Sequence, residues 1–311
     1  MDPERRPPTV AAADWVLFFV PSFIWGTTWL VIKFQLGSVA PEASVAYRFG
    51  LASLLLFAWC ALQGLGLRFD LRAHAGFALM GLLQFALNYV LIYQSERYLT
   101  SGLVALLFGL VLIWNLAGAR IFFRSPLSPP IVAGAVLGMV GITLVLSPDL
   151  ARLHGTPEVA RGVVFVVLAT LSASLANLWS QRMYRRGVAV LPSTAWAMLY
   201  GALAVAAYAA LRGVAFGFDP SLRYVASLAY LAIFGSVFAF GAYLTLLRRI
   251  GAGRAGYTSV VIPALAIATS TVFEGYRWTA PALAGLVLVI AGNVLMLRRP
   301  KPAPPSRPEP S

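Results

Sequence analysis

Charged side chains are scarce in this 311-residue chain: they make up 11% of it, while 59% is hydrophobic. An ordinary soluble domain carries about 25% charged residues. So few charges cannot cover a water-facing surface, which excludes a soluble globular fold and makes lipid the main solvent. Acids are the scarcer sign, 11 against 24 Lys and Arg, for a net charge of +13. Such an excess also occurs in nucleic-acid binders. Here the arginines stand at the ends of apolar runs, with no basic stretch interleaved with exposed aromatics, so no nucleic-acid partner is expected. The one cysteine, Cys60, cannot form an internal disulfide. The two histidines, His74 and His154, fall in expected loops, and no metal-ligand spacing occurs. The chain has no G-x4-G-K-[ST] phosphate loop, no G-x-S-x-G elbow and no paired intramembrane carboxylates. No catalytic residue, metal or cofactor is therefore expected, and the chain does not read as an enzyme. The first apolar run, from Trp15, is too long for a signal-peptide core and is followed by no A-x-A site, so it reads as a retained helix.

Long apolar runs are what the chain does have. A spanning helix needs about 20 mainly apolar residues. That length predicts an all-α integral membrane fold of ten transmembrane helices, near residues 14–33, 43–63, 73–94, 100–122, 129–147, 162–181, 192–211, 224–246, 255–274 and 280–297. Breakers such as Pro41, Gly64, Pro126, Pro148, Pro192, Pro220 and Gly251 fall in the expected connections. With the N-terminus placed in the cytoplasm, sixteen Lys and Arg lie on that side and eight on the other. The positive-inside rule then predicts both termini in the cytoplasm, which an even number of spans requires.

Residues 151 apart match between the two halves: Gly102 with Gly253, Pro130 with Pro281, Gly134 with Gly285, and Gly141 with Gly292. The expected organisation is a cytoplasmic segment (1–13), a first five-helix repeat (14–147), a connecting loop (148–161), a second repeat (162–298) and a disordered tail (299–311). Five spans is an odd number, so the second repeat enters the membrane inverted, a common transporter architecture.

Polar side chains inside lipid are costly unless they face a partner or a water-filled cavity. Trp25 and Trp29 share a stripe with Lys33 on the first helix. Gln84 and Asn88, with Tyr89 and Tyr93 beside them, mark the third. Asn177, Gln181 and Tyr184 mark the sixth, Trp196 and Tyr200 the seventh, and Tyr243 the eighth. These twelve aromatic and amide residues are the candidate substrate-cavity lining. The competing reading is interface anchoring for the aromatics and helix–helix bonding for the polar groups. Lys33, Arg48 and Glu274 map near the non-cytoplasmic helix ends, where they either snorkel or form a charged gate. Glu274 is the only acid near the apolar interior, so proton coupling and uniport both stay open. Pro263 interrupts the ninth helix and is a candidate hinge. Gly134, Gly138 and Gly141 read as a helix-packing stripe.

Three stretches carry a resemblance over about residues 15–297. They are Ile24-Trp25-Gly26-Thr27-Thr28-Trp29-Leu30-Val31-Ile32-Lys33, then Ala43-Ser44-Val45-Ala46-Tyr47-Arg48-Phe49, then Pro263 followed by Glu274, Gly285 and Gly292. They resemble the W-G-x-x-[FW]-x-x-x-K opening, the x-x-x-R-[FY] entry and the P…E…G…G pattern of the EamA family in the drug/metabolite transporter superfamily. The first half departs from the last pattern, with Leu112 opposite Pro263 and Phe123 opposite Glu274. Among ten-helix members, the chain is similar to bacterial exporters of amino acids, especially aromatic ones. The resemblance implies a secondary transporter or facilitator that exports aromatic and other neutral amino acids, or related small metabolites, across the inner membrane by alternating access. Export of another metabolite or drug class, a channel and a scaffold are the alternatives. The implied partners are the small-molecule substrate and the lipid bilayer, with a monomer or weak oligomer as the assembly. Helices five and ten are implied to lie outside the cavity.

Overall fold

The computed structural model describes residues 12–124, 129–152, 157–256, 258, 261–275 and 278–297. The expected tail at 299–311, most of the segment 1–13, and His154 lie outside the described residues. Among the described residues the chain is all helix, in ten segments. They are α1 (Ala12–Lys33), α2 (Pro41–Leu62), α3 (Leu71–Ser95), α4 (Ser101–Phe123), α5 (Pro129–Arg152), α6 (Pro157–Arg185), α7 (Val190–Leu211), α8 (Leu222–Ile250), α9 (Ala252–Ala255, then Val261–Phe273) and α10 (Ala280–Leu297). Seven of these, α1 to α4 and α6 to α8, are each long and apolar enough to cross a membrane; α5 and α10 contain shorter apolar stretches. Large apolar side chains such as Phe23, Leu54 and Val287 stand exposed on the outside. A soluble protein would avoid that, and a bilayer favours it.

Two expectations need correction. Pro148 does not end its helix, because α5 runs on to Arg152 and α6 starts at Pro157. A proline there removes the N–H that would bond the Leu144 carbonyl. The Ser147 hydroxyl donates to that carbonyl instead, at 2.8 Å, so the helix continues. His74 is not in a loop but in the first turn of α3, which Asp70 caps by accepting from the Ala73 N–H at 2.8 Å.

The halves pack as an inverted pair. The α5 helix lies on α10 and α2 lies on α7, while α1 meets α9 and α8 just as α6 meets α4 and α3. The glycines show the symmetry at atomic scale. A Cβ on Gly141 would come within 2.6 Å of the Gly285 carbonyl, and one on Gly285 within 2.5 Å of the Gly141 carbonyl. A Cβ on Gly292 would come within 2.5 Å of the Gly134 carbonyl. Adding the 151-residue offset to Gly141 gives Gly292, and subtracting it from Gly285 gives Gly134. The repeat therefore maps this antiparallel contact onto itself. Close approach of small residues supplies dispersion contact that lipid cannot match.

The irregular backbone repeats as well. Residues Gly81–Leu87 of α3 and Ile233–Phe238 of α8 are π-helical, and the same offset maps 81–87 onto 232–238. The α4 helix breaks at Gly109, and α9 leaves the α-helical form after Ala255, with Gly256 and Thr258 in a tighter turn. Interruptions of this kind inside a membrane are tolerated where the backbone is covered by protein or lines a cavity. All four lie in helices that surround the centre.

The glycine contact makes a direct prediction. Gly141→Leu should destabilise the purified protein by about 1–3 kcal/mol through overpacking. Gly138→Leu, where a Cβ meets nothing within 4 Å, should leave the melting temperature within error. Thermal unfolding in detergent, followed by tryptophan fluorescence, distinguishes the two.

Candidate functional site

A central cavity of about 60 Å³ lies between α1, α3, α4, α6, α8 and α9. At ~10–15 Å³ per water this holds roughly four waters. The α1 helix contributes Trp25, Thr28 and Trp29, and α3 contributes Gln84, Asn88 and Tyr89. Phe108 comes from α4, Asn177 from α6, Phe240 and Tyr243 from α8, and Thr258 from α9. Among the described residues, none of α2, α5, α7 or α10 reaches it.

Aromatic edges build the walls. Trp25 stands 5.0 Å from Phe240 and 5.1 Å from Tyr243 between ring centres, and Trp29 stands 5.3 Å from Phe108. The polar atoms of this wall are incompletely satisfied. Trp25 Nε1 donates to the Gly235 carbonyl at 3.1 Å, on the π-helical turn of α8. Asn88 Nδ2 donates to the Gln84 carbonyl at 3.2 Å. Trp29 Nε1, Asn88 Oδ1 and Asn177 Oδ1 are buried and make no hydrogen bond among the described residues. Each such orphan costs about 1–3 kcal/mol unless a water or ligand meets it. Among the described residues, no Asp, Glu, Lys, Arg or His is in the lining.

Seven of the twelve lining residues expected from sequence meet here: Trp25, Trp29, Gln84, Asn88, Tyr89, Asn177 and Tyr243. The other five sit elsewhere. Tyr93 is buried one turn beyond the cavity and donates to Gln35 Oε1 at 2.7 Å. Gln181 Oε1 accepts from the Ala252 N–H at 2.9 Å, holding the turn at Gly251, whose φ of 85° suits glycine. Tyr184 is buried beside Ser180, Ser193 and Thr194. Trp196 and Tyr200 stack at 5.9 Å near the start of α3, where Trp196 Nε1 bonds the Leu67 carbonyl at 3.1 Å and Tyr200 pairs with His74 Nδ1 at 2.8 Å. All but Tyr184, whose hydroxyl makes no hydrogen bond among the described residues, fasten helices and loops; the amide and aromatic pattern marked them as polar but could not say which end of each helix they occupy.

The charged residues form two clusters. Arg48 is fully buried. Its Nε donates to Ser236 Oγ at 3.0 Å and its Nη2 to the Gly235 carbonyl at 3.4 Å, and its guanidinium lies 4.6 Å from the Tyr89 ring centre. It pins α2 to the π-helical turn of α8. Lys33 and Glu274 lie 3.8 Å apart. Lys33 Nζ also donates to the Glu96 carbonyl and, at 2.7 Å, to the Leu99 carbonyl. Both Glu274 oxygens accept from the Ser101 N–H at 3.2 Å, and the Ser101 hydroxyl adds a further bond. A carboxylate is thereby set at the N-terminus of α4, where the helix dipole favours it. The repeat-equivalent of Glu274 is Phe123, and there the Arg185 guanidinium lies 4.6 Å from the ring centre. One end of the molecule is thus tied by the Lys33–Glu274 pair, and the other by Arg185 over Phe123 together with an ion pair of Arg249 with Asp14 at 2.7 Å. Pro263 lies within the second piece of α9; its side-chain surroundings fall outside the described residues.

Three residues escaped the sequence reading. Asn115 of α4 is buried beside Tyr243, with neither amide atom within full hydrogen-bond geometry of a partner among the described residues; the rule that flagged the other amides applies to it equally. Phe108 carried no signal, since one more apolar residue in an apolar helix is silent. Glu96 is fully buried, so Glu274 is not the only acid near the interior. The short turn after α3 folds under the start of α6, where Ser95 Oγ bonds the Gly162 carbonyl at 2.9 Å, and this covers an acid that sequence alone assigns to a loop.

An inverted ten-helix bundle around an uncharged, partly unsatisfied polar cavity defines a multi-pass membrane transporter. The chain belongs to the EamA-like transporter family, whose pattern matches residues 15–147 and 160–298. It is 28% identical over 298 residues to the uncharacterized inner membrane transporter YedA of Escherichia coli K12, covering 92% of this chain and 93% of that one. It is 24% identical over 287 residues to a probable amino-acid metabolite efflux pump of Salmonella typhimurium LT2, covering 90% and 93%. An uncharacterized transporter of Archaeoglobus fulgidus is 22% identical over 285 residues, covering 92% and 99%. One solved structure superposes with a TM-score of 0.71 at 19% identity, over 92% of this chain and 97% of that one, and shows the shared fold.

Lys33→Met should lower unfolding stability by about 1–3 kcal/mol, since two carbonyls and a carboxylate lose their donor together. Arg161→Ala, at an exposed position, should change it by less than about 0.5 kcal/mol. Paired thermal melts of the two variants test the ion cluster.

Proposed function

We propose that the protein exports neutral amino acids, aromatic ones included, through the central cavity by alternating access. The observation that carries this reading is the set of orphaned polar atoms in an uncharged aromatic wall. Asn88 Oδ1 and Asn177 Oδ1 are acceptors for an ammonium group, and Trp29 Nε1 is a donor for a carboxylate. A zwitterion is neutral overall and needs donors and acceptors rather than a counter-ion. An aromatic or aliphatic side chain then packs on Trp25 and Phe240. A cationic or anionic side chain would be left unpaired in this wall, at a cost of several kcal/mol. The name of the Salmonella relative points the same way. The cavity volume is small for phenylalanine, so binding requires the wall to open.

Orientation follows from charge. With sixteen of the 24 basic residues assigned to the side that holds both termini, we place that side in the cytoplasm of a bacterial inner membrane. The Lys33–Glu274 end then faces outward. The chain is read as working alone or in a weak oligomer.

Proteoliposomes preloaded with unlabelled phenylalanine should take up labelled phenylalanine, threonine and methionine by counterflow. Labelled lysine and glutamate should move at least about tenfold more slowly. Asn88→Leu and Asn177→Leu should each reduce phenylalanine counterflow about 10- to 100-fold, the loss expected for one hydrogen bond to a charged group. No flux of any amino acid, with transport of another solute class, would overturn the substrate assignment. A green fluorescent protein fused after Ser311 should fluoresce, whereas alkaline phosphatase at the same point should be inactive; the opposite pattern reverses the orientation.

A further inference from the structure

Glu96 occupies an unusual position for an acid. It follows the last turn of α3, just beyond the span Leu71–Ser95. It is fully buried, and neither carboxyl oxygen receives a hydrogen bond among the described residues. Most of the donors around it are aimed elsewhere, although Arg48 Nη1, Gln35 Nε2 and Thr100 Oγ1 are themselves buried without a hydrogen bond among the described residues. Lys33 Nζ bonds the main-chain carbonyls of Glu96 and Leu99 and pairs with Glu274. The Ser101 N–H and hydroxyl both go to Glu274. Arg48 bonds Ser236 and Gly235, and the Tyr93 hydroxyl bonds Gln35. On the same turn, Arg97 is exposed and reaches Gln94 at 3.1 Å. At the start of α6, Glu158 and Arg161 are exposed. A carboxyl at a helix C-terminus also faces the negative end of the dipole. Every one of these features disfavours an ionised Glu96, apart from the charges of Lys33 and Arg48.

We propose that Glu96 is a proton-binding site whose protonated form keeps the Lys33 end of the transporter closed and whose ionised form opens it. The geometry supplies the mechanism. With Glu96 neutral, Lys33 and Glu274 balance each other, and Glu274 stays on the N-terminus of α4. When the proton leaves for water at that face, a second negative charge appears in the cluster. It repels Glu274 and competes for Lys33, which loosens the joints from α9 to α4 and from α1 to the turn at 96–100. The energetic sign agrees. Burial pushes the Glu96 carboxyl well above the usual carboxylate range; Lys33 pulls it down, Glu274 pushes it further up and Arg48 pulls it down. In the open form Glu96 meets water and ionises in the ordinary range. The closed form is therefore fully favoured below that range and loses ground, about tenfold per pH unit, as pH rises toward the closed-state value.

The test uses the full chain in lipid nanodiscs, with glutamate carboxyls labelled with carbon-13, and needs no substrate. Infrared spectra, taken at pH values where a solvated glutamate is ionised, should contain the C=O stretch of a protonated glutamic acid, and E96Q should lack it. In parallel, hydrogen–deuterium exchange corrected for intrinsic rates should show residues 96–104 and 270–275 losing protection as that band titrates away. The expected change is about tenfold per pH unit in wild type, with no such dependence in E96Q. Absence of a protonated glutamate band in wild type overturns the proposal without reliance on any variant. So does a band that survives in E96Q, or an opening whose pH dependence is the same in both proteins. Failure of phenylalanine to cross the membrane would count against the transport reading alone, since neither measurement involves flux.

Discussion

Hydrocarbon offers no hydrogen bonds, and that constraint organises this molecule. Every amide and charge within the bilayer must be satisfied by the protein itself or open onto water. Helices satisfy the backbone. The side chains then sort into those that fasten helices and those left over. Arg48 on Gly235 and Ser236 belongs to the first group, as do Ser172 on the Leu83 carbonyl and Trp179 on the Gly76 carbonyl. Trp29 Nε1, Asn88 Oδ1 and Asn177 Oδ1 belong to the second, and all three converge on one cavity. Three of the buried polar atoms left without a hydrogen bond among the described residues thus meet at the site, while others, such as Gln35 Nε2, Thr100 Oγ1 and the Tyr184 hydroxyl, lie outside its lining.

The inverted repeat shapes how that site can move. The glycine seam between α5 and α10 is symmetric and tightly packed, and it lies away from the cavity. The perturbed backbones of α3, α4, α8 and α9 surround the cavity in repeat-equivalent pairs. A rigid seam with four interrupted helices beside it suits a scaffold against which the centre rearranges. The halves are not chemically equal, however. One end is tied by Lys33, Glu274 and Ser101, the other by Arg185 over Phe123 and by the more exposed Arg249–Asp14 ion pair. Symmetric architecture with unlike ends gives the two faces different sensitivity to salt and pH, because an exposed ion pair is screened and a carboxyl titrates.

Much of the fold was legible in the sequence. Apolar run length gave the ten spans, and the spacing of four glycines and prolines gave the repeat that the α5–α10 contact reproduces. Pro148 misled because its lost backbone bond is replaced by a serine hydroxyl, which is a three-dimensional fact. The site was half legible. Amides stand out in lipid, and three of those singled out, Gln84, Asn88 and Asn177, line the cavity. Gln181 looked identical and turned out to hold the turn at Ala252. Depth along a helix, and the direction a polar group faces, depend on packing that the 3.6-residue period does not carry. Glu96 was invisible for the same reason: burial of a turn by a neighbouring helix leaves no mark on the turn's own residues.

The central claim is that the cavity reads a zwitterion. Intrinsic tryptophan fluorescence measures this most directly, because Trp25 and Trp29 form its wall. Titration with phenylalanine should give a saturable change, absent in Asn88→Leu. Phenylpropionate lacks the ammonium group and should bind at least about tenfold more weakly. An equal response to phenylpropionate, or none to phenylalanine, would contradict the account.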